Sequence, residues 1–549
     1  MSTAASSHSN PIKTAPKPPR ALKAAMILSA LFLLSRLTGL IQSQIIFALL
    51  PVDAANAYSV AFTLPDYLSY LVASGTLSLT FIPIFTQFWD RGKEAEAWRF
   101  FSTLATILGS ALAVLTLVFF FFAEPLIVLT NAGFDDPKNH ETAMLAAKMT
   151  QILLPAQIFF FLGALMVGAL NSFKRFSATG WTGAIYNLVS IAVAVPAYKI
   201  TGDPLMFAWA ILIGAFVGNF LLPAVALFSG PREQRPRFKP NFNINLSSVR
   251  RYFQLSIPIM LSFSIATADI WVWKYFASDL GESTLRNMNA AYRLMIAAQG
   301  ILGQAAAVAA FPFLASKVAA KDFKGLAEFM RTGLRRLIFI SLPVSLLLIL
   351  GAQPLCRLVY GYGHFNDPTA LYETSLCFAL FVVGLGAWTT QGFVSRGFYA
   401  LSDTKTPSIL GTIICLPIFA PICYFAAKFY GSAGLALATS FAILLYLVIV
   451  LILLEKKLIT ERRVAIGLSK VAGTAIRTVA ACIVAGLAGG VVLWLTSKIA
   501  AQNKVGDIGI LIFVWGITSV VFAFSATKFA IPEWFWLREK LQRRRKATA

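Results

Sequence analysis

Apolar runs of about 20 residues or more recur along the entire chain, separated by short polar connections, and this pattern dictates the fold class. One such run crosses ~30 Å of hydrocarbon as a helix; lipid offers no partner to an unpaired backbone group, so the helix must satisfy its own. About fourteen runs can be placed, near 24–50, 57–88, 100–129, 144–171, 178–199, 205–228, 249–277, 288–316, 335–360, 370–398, 406–428, 432–454, 471–498 and 507–530. With 58% hydrophobic and 13% charged residues, the chain has more apolar surface than a soluble core could hide. It is therefore read as an all-α polytopic membrane protein.

Short connections rich in Lys and Arg stay in the cytoplasm, so the loops orient the bundle. With the N-terminus inside, the cytoplasmic connections are Arg91–Arg99, Lys174–Arg175, Arg232–Arg251, Lys317–Arg336, Arg396–Lys405, Lys456–Lys470 and Arg538–Lys546. The opposite connections, among them Asp135–Glu141, Asp279–Glu282 and His364–Glu373, carry acids and turn formers with few bases. This alternation places both termini in the cytoplasm. The first ~20 residues read as a disordered basic tail and not a signal peptide, because the apolar run from Ala25 is too long for a signal core.

A net charge of +23 would suit nucleic acid, but the bases fall in separate short loops and not on one continuous face, so no nucleic-acid partner is expected. The five cysteines lie in or beside apolar runs with no C-x-x-C pair, and read as buried small hydrophobes. There is no G-x-x-x-x-G-K-[ST], H-E-x-x-H or G-x-S-x-G, and the three histidines, His8, His140 and His364, lie outside the runs. No enzyme, cofactor or metal site is implied. Energy for transport would come from an ion gradient, the membrane potential or the substrate gradient.

The longest internal break is the basic, Pro-rich stretch Gly230–Pro240 after the sixth run. It divides the first twelve runs into two sets of six, as in transporters with two lobes related by an axis along the membrane normal. The expected organisation is a basic cytoplasmic tail 1–23, an N-terminal lobe 24–229, a basic linker 230–248, a C-terminal lobe 249–454, a basic loop 455–470, two trailing helices 471–530 and a basic tail 531–549.

An ionisable side chain in mid-membrane costs at least ~2.5–3.5 kcal/mol, so those that occur usually face a polar cavity. Arg36 in the first run, Asp269 in the seventh and Arg293 in the eighth meet that description. For the arginines the alternative is snorkelling to the headgroups; for Asp269 it is an interhelical hydrogen bond or a pair with Lys274, itself placed to snorkel to the outer interface. Ser35, Thr38 and Gln42 share one helical face beside Arg36 and Ser43, and Asn56, Ser69 and Ser74 follow in the second run. Such a stripe lines a hydrophilic chamber or packs helices through small polar residues. Arginine forks in a polar chamber match the oxygens of a diphosphate.

Leu34-Ser-Arg-Leu-Thr-Gly39, Asn56-Ala-Tyr-Ser-Val-Ala-Phe-Thr-Leu-Pro65 and the stretch from Gly75 to Pro83 resemble the first two helices of MurJ-type lipid II flippases. These belong to the multidrug/oligosaccharidyl-lipid/polysaccharide exporter superfamily. Arg293-Leu-Met295, Gly300-Ile-Leu-Gly303 and Pro312-Phe-Leu314 resemble that family's eighth helix, and Asp403-Thr-Lys-Thr-Pro407 its loop before the eleventh. The resemblance implies a monomeric flippase of the bacterial cytoplasmic membrane that moves lipid II from the inner to the outer leaflet by alternating access. Arg36 and Arg293 would hold the diphosphate. Ser35, Gln42, Ser43, Asn56, Ser69 and Ser74 would hydrogen-bond the head group, with Asp269 also in the site, and the two trailing helices would hold the polyprenyl tail.

The chain departs from the family at Gln42-Ser43, where an Arg-Asp pair is usual, and at Asn56, Ser69, Ser74 and Tyr292, where charges are usual. The eleventh span also lacks the Asn or Asp that some relatives use for sodium. Two other functions are compatible with these departures: export of another polyprenyl-linked oligosaccharide or an amphipathic drug, and a scaffold that has lost transport.

Overall fold

The computed structural model describes residues 18–72, 80–266, 268–281, 283–403, 405–499 and 503–548. Ser74 lies outside them. Before the linker the chain forms α1 (Pro18–Leu49), α2 (Val52–Ala61), α3 (Thr63–Val72), α4 (Ile82–Asp90), α5 (Glu94–Phe121), α6 (Ala123–Thr130), α7 (His140–Leu153), α8 (Ala156–Ser172), α9 (Phe176–Thr201), α10 (Leu205–Gly214) and α11 (Leu222–Phe228). After it come α12 (Ser247–Ala266), α13 (Ala268–Ala277), α14 (Thr284–Gln299), α15 (Ala305–Ala319), α16 (Phe323–Leu350), α17 (Ala352–Tyr360), α18 (Pro368–Val383) and α19 (Leu385–Ala400). The chain closes with α20 (Lys405–Ile414), α21 (Ala420–Arg462), α22 (Leu468–Ile499), α23 (Lys504–Lys528) and α24 (Pro532–Thr548). No strand occurs among the described residues.

Nine helical stretches among these residues are long and apolar enough to cross a bilayer, ten if α18 and α19, bent by 42°, form one span. One of the nine, Lys405–Arg462, has 58 residues, far beyond a single crossing. It breaks at Gly431, whose φ of 58° and ψ of −141° only glycine adopts readily, at the turn expected between the eleventh and twelfth runs. The second, seventh and eighth expected spans are not among the nine; the second and seventh include residues outside the described set. A count of fourteen is compatible with this arrangement.

The second span shows how an interruption is built. Pro65 has no N–H to offer the carbonyl of Ala61, and α2 gives way to α3 at Phe62. The carbonyls exposed by the break find other donors: Thr150 Oγ1 donates to Ala61 O at 3.2 Å, and Lys274 Nζ to Ser59 O at 3.2 Å. The eighth span is relaxed by a π-helical segment, Gly300–Gln304, between α14 and α15.

One core runs through the middle of the bundle, from Phe47, Tyr58 and Met149 before the linker to Trp273, Met295 and Phe381 after it. A second, around Phe85, Trp98 and Leu165, is confined to helices before the linker and α12, and a third, around Met330, Phe398 and Val450, to helices after it. A fourth joins α16 to α22 and α23 through Phe339, Ala481 and Phe522. Ile483, Leu487, Val491, Phe513, Val520 and Phe524 on α22 and α23 are exposed, as lipid-facing residues are.

At the end of the bundle carrying the acidic connections the helices before and after the linker are knitted together. Gly133 N–H donates to Ser278 Oγ at 3.1 Å, Gly363 packs on the Ala48 carbonyl, and the Phe47 ring meets those of Phe365 and Tyr360 at 5.9 and 6.2 Å. α1 starts at Pro18, inside the stretch read as tail, and the C-terminal stretch carries α24, opened by Pro532 and held by Glu533, which pairs with Arg335 at 2.7 Å.

Candidate functional site

Polar side chains from α1, α2, α9 and α14 enclose a chamber of about 400 Å³ near the centre of the bundle. Five residues singled out in the sequence line it: Ser35, Arg36, Gln42, Ser43 and Arg293. Their positions follow from close packing of α1 on α9. Gly183 faces Ser35, and a Cβ on Gly39 would lie 3.3 Å from Asn187 Nδ2, so the helices approach where neither carries bulk. The Asn187 amide then crosses the interface, donating to Ser35 O at 2.9 Å and to Thr38 Oγ1 at 3.0 Å.

The two arginines reach the chamber from opposite sides of the linker. Arg36 lies along Gly300, where a Cβ would come within 3.3 Å of its Nε. Arg293 Nη1 donates to Ser43 Oγ at 3.0 Å, and that hydroxyl in turn donates to Gly39 O at 3.0 Å. Tyr58, Tyr186 and Tyr292 add hydroxyl-bearing rings to the wall. Gln42 Nε2 is buried with no hydrogen-bond partner among the described residues, which suits a donor awaiting an acceptor. Two cationic forks, hydroxyls and amide donors around one chamber form a receptor for oxyanions and sugar hydroxyls.

Asn56, Ser69 and Asp269 lie elsewhere. Asn56 Oδ1 accepts the main-chain N–H of Arg286 at 3.0 Å, capping the first turn of α14, and the Ser69 hydroxyl donates to Gln157 Oε1. Asp269 lines a separate cavity of about 100 Å³ with Trp388, Gln391, Thr439 and Tyr446, and neither carboxyl oxygen is bonded to another side chain among the described residues. The alternative reading, an Asp269–Lys274 pair, is not formed, and Lys274 does not snorkel: it is 6% exposed, its ammonium turned to the break in α2.

Sequence reasoning passed over Asp66, in the first turn of α3, whose charge acts on both Lys274 and Arg293. An acid inside an apolar run was the available signal. It also passed over Asn187, a polar residue midway along the fifth run. Away from the chamber, an apolar groove of about 340 Å³ runs between α16, α23 and α24, lined by Pro343, Leu347, Phe522, Trp534 and others.

A multi-pass helical bundle that encloses arginines in a central polar chamber has the architecture of a membrane carrier for polar solutes. The chain belongs to the lipid II flippase MurJ family, whose model matches residues 45–514. It is similar to the lipid II flippase MurJ of Burkholderia cenocepacia, 28% identical over 422 residues that cover 76% of this chain and 80% of that protein. The probable lipid II flippase MurJ of Rhizobium tropici is 26% identical over 535 residues, covering 94% of this chain and 95% of the relative. In fold it is similar to a lipid II flippase MurJ solved in an inward closed conformation, with a TM-score of 0.68, 20% identity, and coverage of 91% of this chain and all of that one. Spanning helices and bacterial relatives make it a multi-pass inner-membrane protein.

Proposed function

We propose that this protein is a flippase that carries lipid II from the inner to the outer leaflet. The observation that carries this reading is the convergence of Arg36 and Arg293, one from each side of the linker, on a single chamber. The helices before and after the linker act as two rocking lobes, with both termini in the cytoplasm, the groove beside α16, α23 and α24 taking the polyprenyl tail, and one chain as the working unit. An ion gradient or the membrane potential drives the cycle. Asp269, a carboxylate in its own cavity with no side-chain partner among the described residues, is the group through which a cation would act.

Complementation tests the reading. Expression of this chain in a bacterium depleted of its own lipid II flippase restores growth, and Arg36→Ala or Arg293→Ala abolishes the rescue at equal protein level. Rescue that survives loss of both arginines refutes the site. Export of a different polyprenyl-linked glycolipid without rescue refutes lipid II as cargo.

A further inference from the structure

The linker between the two sets of six runs carries features that the chamber does not use. From Gly230 to Arg251 it holds six cations and one acid, Glu233, and none of the six is in an ion pair among the described residues. Two of them reach neutral acceptors, Arg235 the Gly230 carbonyl at 3.2 Å and Arg251 Gln87 Oε1 at 3.4 Å. In the same stretch, outside the apolar runs, Phe238, Phe242 and Ile244 are 52%, 68% and 56% exposed. Three large apolar side chains displayed together mark a surface that water does not cover.

The segment is tied down and is not free to fold these side chains inward. Lys239 N–H donates to Ser102 Oγ at 3.2 Å, Asn241 N–H to Thr106 Oγ1 at 3.3 Å and Asn241 Nδ2 to Thr103 Oγ1 at 2.9 Å, all on α5. The Asn241 and Asn243 side chains accept the N–H groups of Asn243 and Asn245, each at 3.1 Å, while Pro236 and Pro240 have no N–H to satisfy. A main chain so provided for needs fewer waters and tolerates the edge of a bilayer. The attachment is also deep. Arg99 is exposed and is the last charge on α5, and Thr106 lies two turns beyond it, roughly 10 Å further along the axis.

We propose that this linker is a membrane-anchored strap: Phe238, Phe242 and Ile244 enter the acyl region of the adjacent leaflet, and Arg235, Arg237 and Lys239 bind the phosphates of anionic phospholipids. Basic side chains reach from that depth to the headgroups while their stems stay among apolar groups. Beyond the strap, Val249 and Tyr252 join the core around Phe85 and Trp98, so the bilayer grips the lobe before the linker more firmly than the one after it. The inference stands whatever cargo the chamber takes.

The test uses the full-length protein in nanodiscs of phosphatidylcholine, alone or mixed equally with phosphatidylglycerol. Phe242→Trp adds one indole to the eleven present, and its signal is the difference from wild type. That signal is quenched by phospholipids brominated on the acyl chain and not by aqueous iodide. Replacing Arg235, Arg237 and Lys239 together by Gln lowers the preference for retained phosphatidylglycerol over phosphatidylcholine, read by native mass spectrometry, by about tenfold or more, with the thermal midpoint in phosphatidylcholine unchanged. Quenching by iodide and not by brominated lipid places the segment in water and overturns the strap. A triple variant that keeps the wild-type lipid preference overturns the anionic headgroup as ligand. Shielding of the added indole from iodide by soluble polyglutamate, where the bilayer gives none, assigns the surface to an acidic protein and overturns the inference as well.

Discussion

Replacing Asn56 by Ala tests whether this residue belongs to the chamber or to the closure of its outer end. In the structure the Asn56 carbonyl oxygen caps Arg286 N–H at 3.0 Å, and both residues are buried, at 7% and 1% exposure. Arg286 stands in the first turn of α14, where main-chain N–H groups have no partner within the helix. Alanine leaves that N–H buried and unpaired, at a cost of about 1–3 kcal/mol; caps measured by substitution fall in the same range, at roughly 0.5–2 kcal/mol. The cost falls only on the conformation in which the outer ends meet. The equilibrium should therefore move towards separated ends by about five- to 150-fold. Spin labels at Glu141 and Tyr372, exposed on either side of that closure, would report the shift as a longer distance population in double electron–electron resonance. Chamber affinity for a polyprenyl diphosphate, read in a state locked closed by an outer cross-link, should be unchanged. An unaltered distance distribution together with a large loss of affinity would refute the capping argument and return Asn56 to the binding site.

Arg293→Lys keeps the charge but loses the fork that reaches Ser43, so rescue of a depleted strain should be partial where Arg293→Ala gives none. Asp269→Asn should raise the thermal midpoint, by removing a buried carboxylate that has no side-chain partner among the described residues, and should abolish any dependence of transport on the ion gradient; retention of that dependence would place coupling elsewhere. Asp403 is partly buried, which opposes its charge, but bonds from the Thr406 amide and hydroxyl and from Lys457 prevail and hold its carboxyl below the ordinary 3.8. The stabilisation is present above the unfolded value and is lost as pH falls through the folded one. Asp403→Asn should therefore lower stability by about 1 kcal/mol at pH 7 and by progressively less below about pH 4, as followed by thermal melts across pH. Glu455 accepts the main-chain N–H groups of Ile466, Gly467 and Leu468 at 2.6, 3.0 and 3.4 Å, so Glu455→Ala should loosen the start of α22, seen as faster amide exchange over 464–470.

The helical class was legible because the length of an apolar run reports bilayer thickness directly. Ser35, Arg36, Gln42 and Ser43 were legible as one face because α1 is continuous through them, so helical periodicity holds. The second and seventh spans defeated the same reasoning. Once α2 gives way to α3 near Pro65, Asn56 and Ser69 no longer share a rotational frame, and each bonds to a helix distant in sequence, α14 and α8. Lys274 was misread for a related reason. Five residues after Asp269 it looked like that acid's partner or a headgroup anchor, but the acceptor that positions it is a carbonyl freed by a break in another helix. Asp66 acts through the same break.

That break places two main-chain acceptors behind the chamber wall. The Ser59 and Ala61 carbonyls, buried beside the wall residues Tyr58 and Phe62, hold Lys274 and Thr150 whatever side chains face the cavity. Side chains facing the cavity, such as Gln42 and Ser43, can therefore be exchanged while the contacts made through the break stay in place. Cargo preference in such a carrier is free to drift by single substitutions, because the path and the selectivity are held by different parts of the chain.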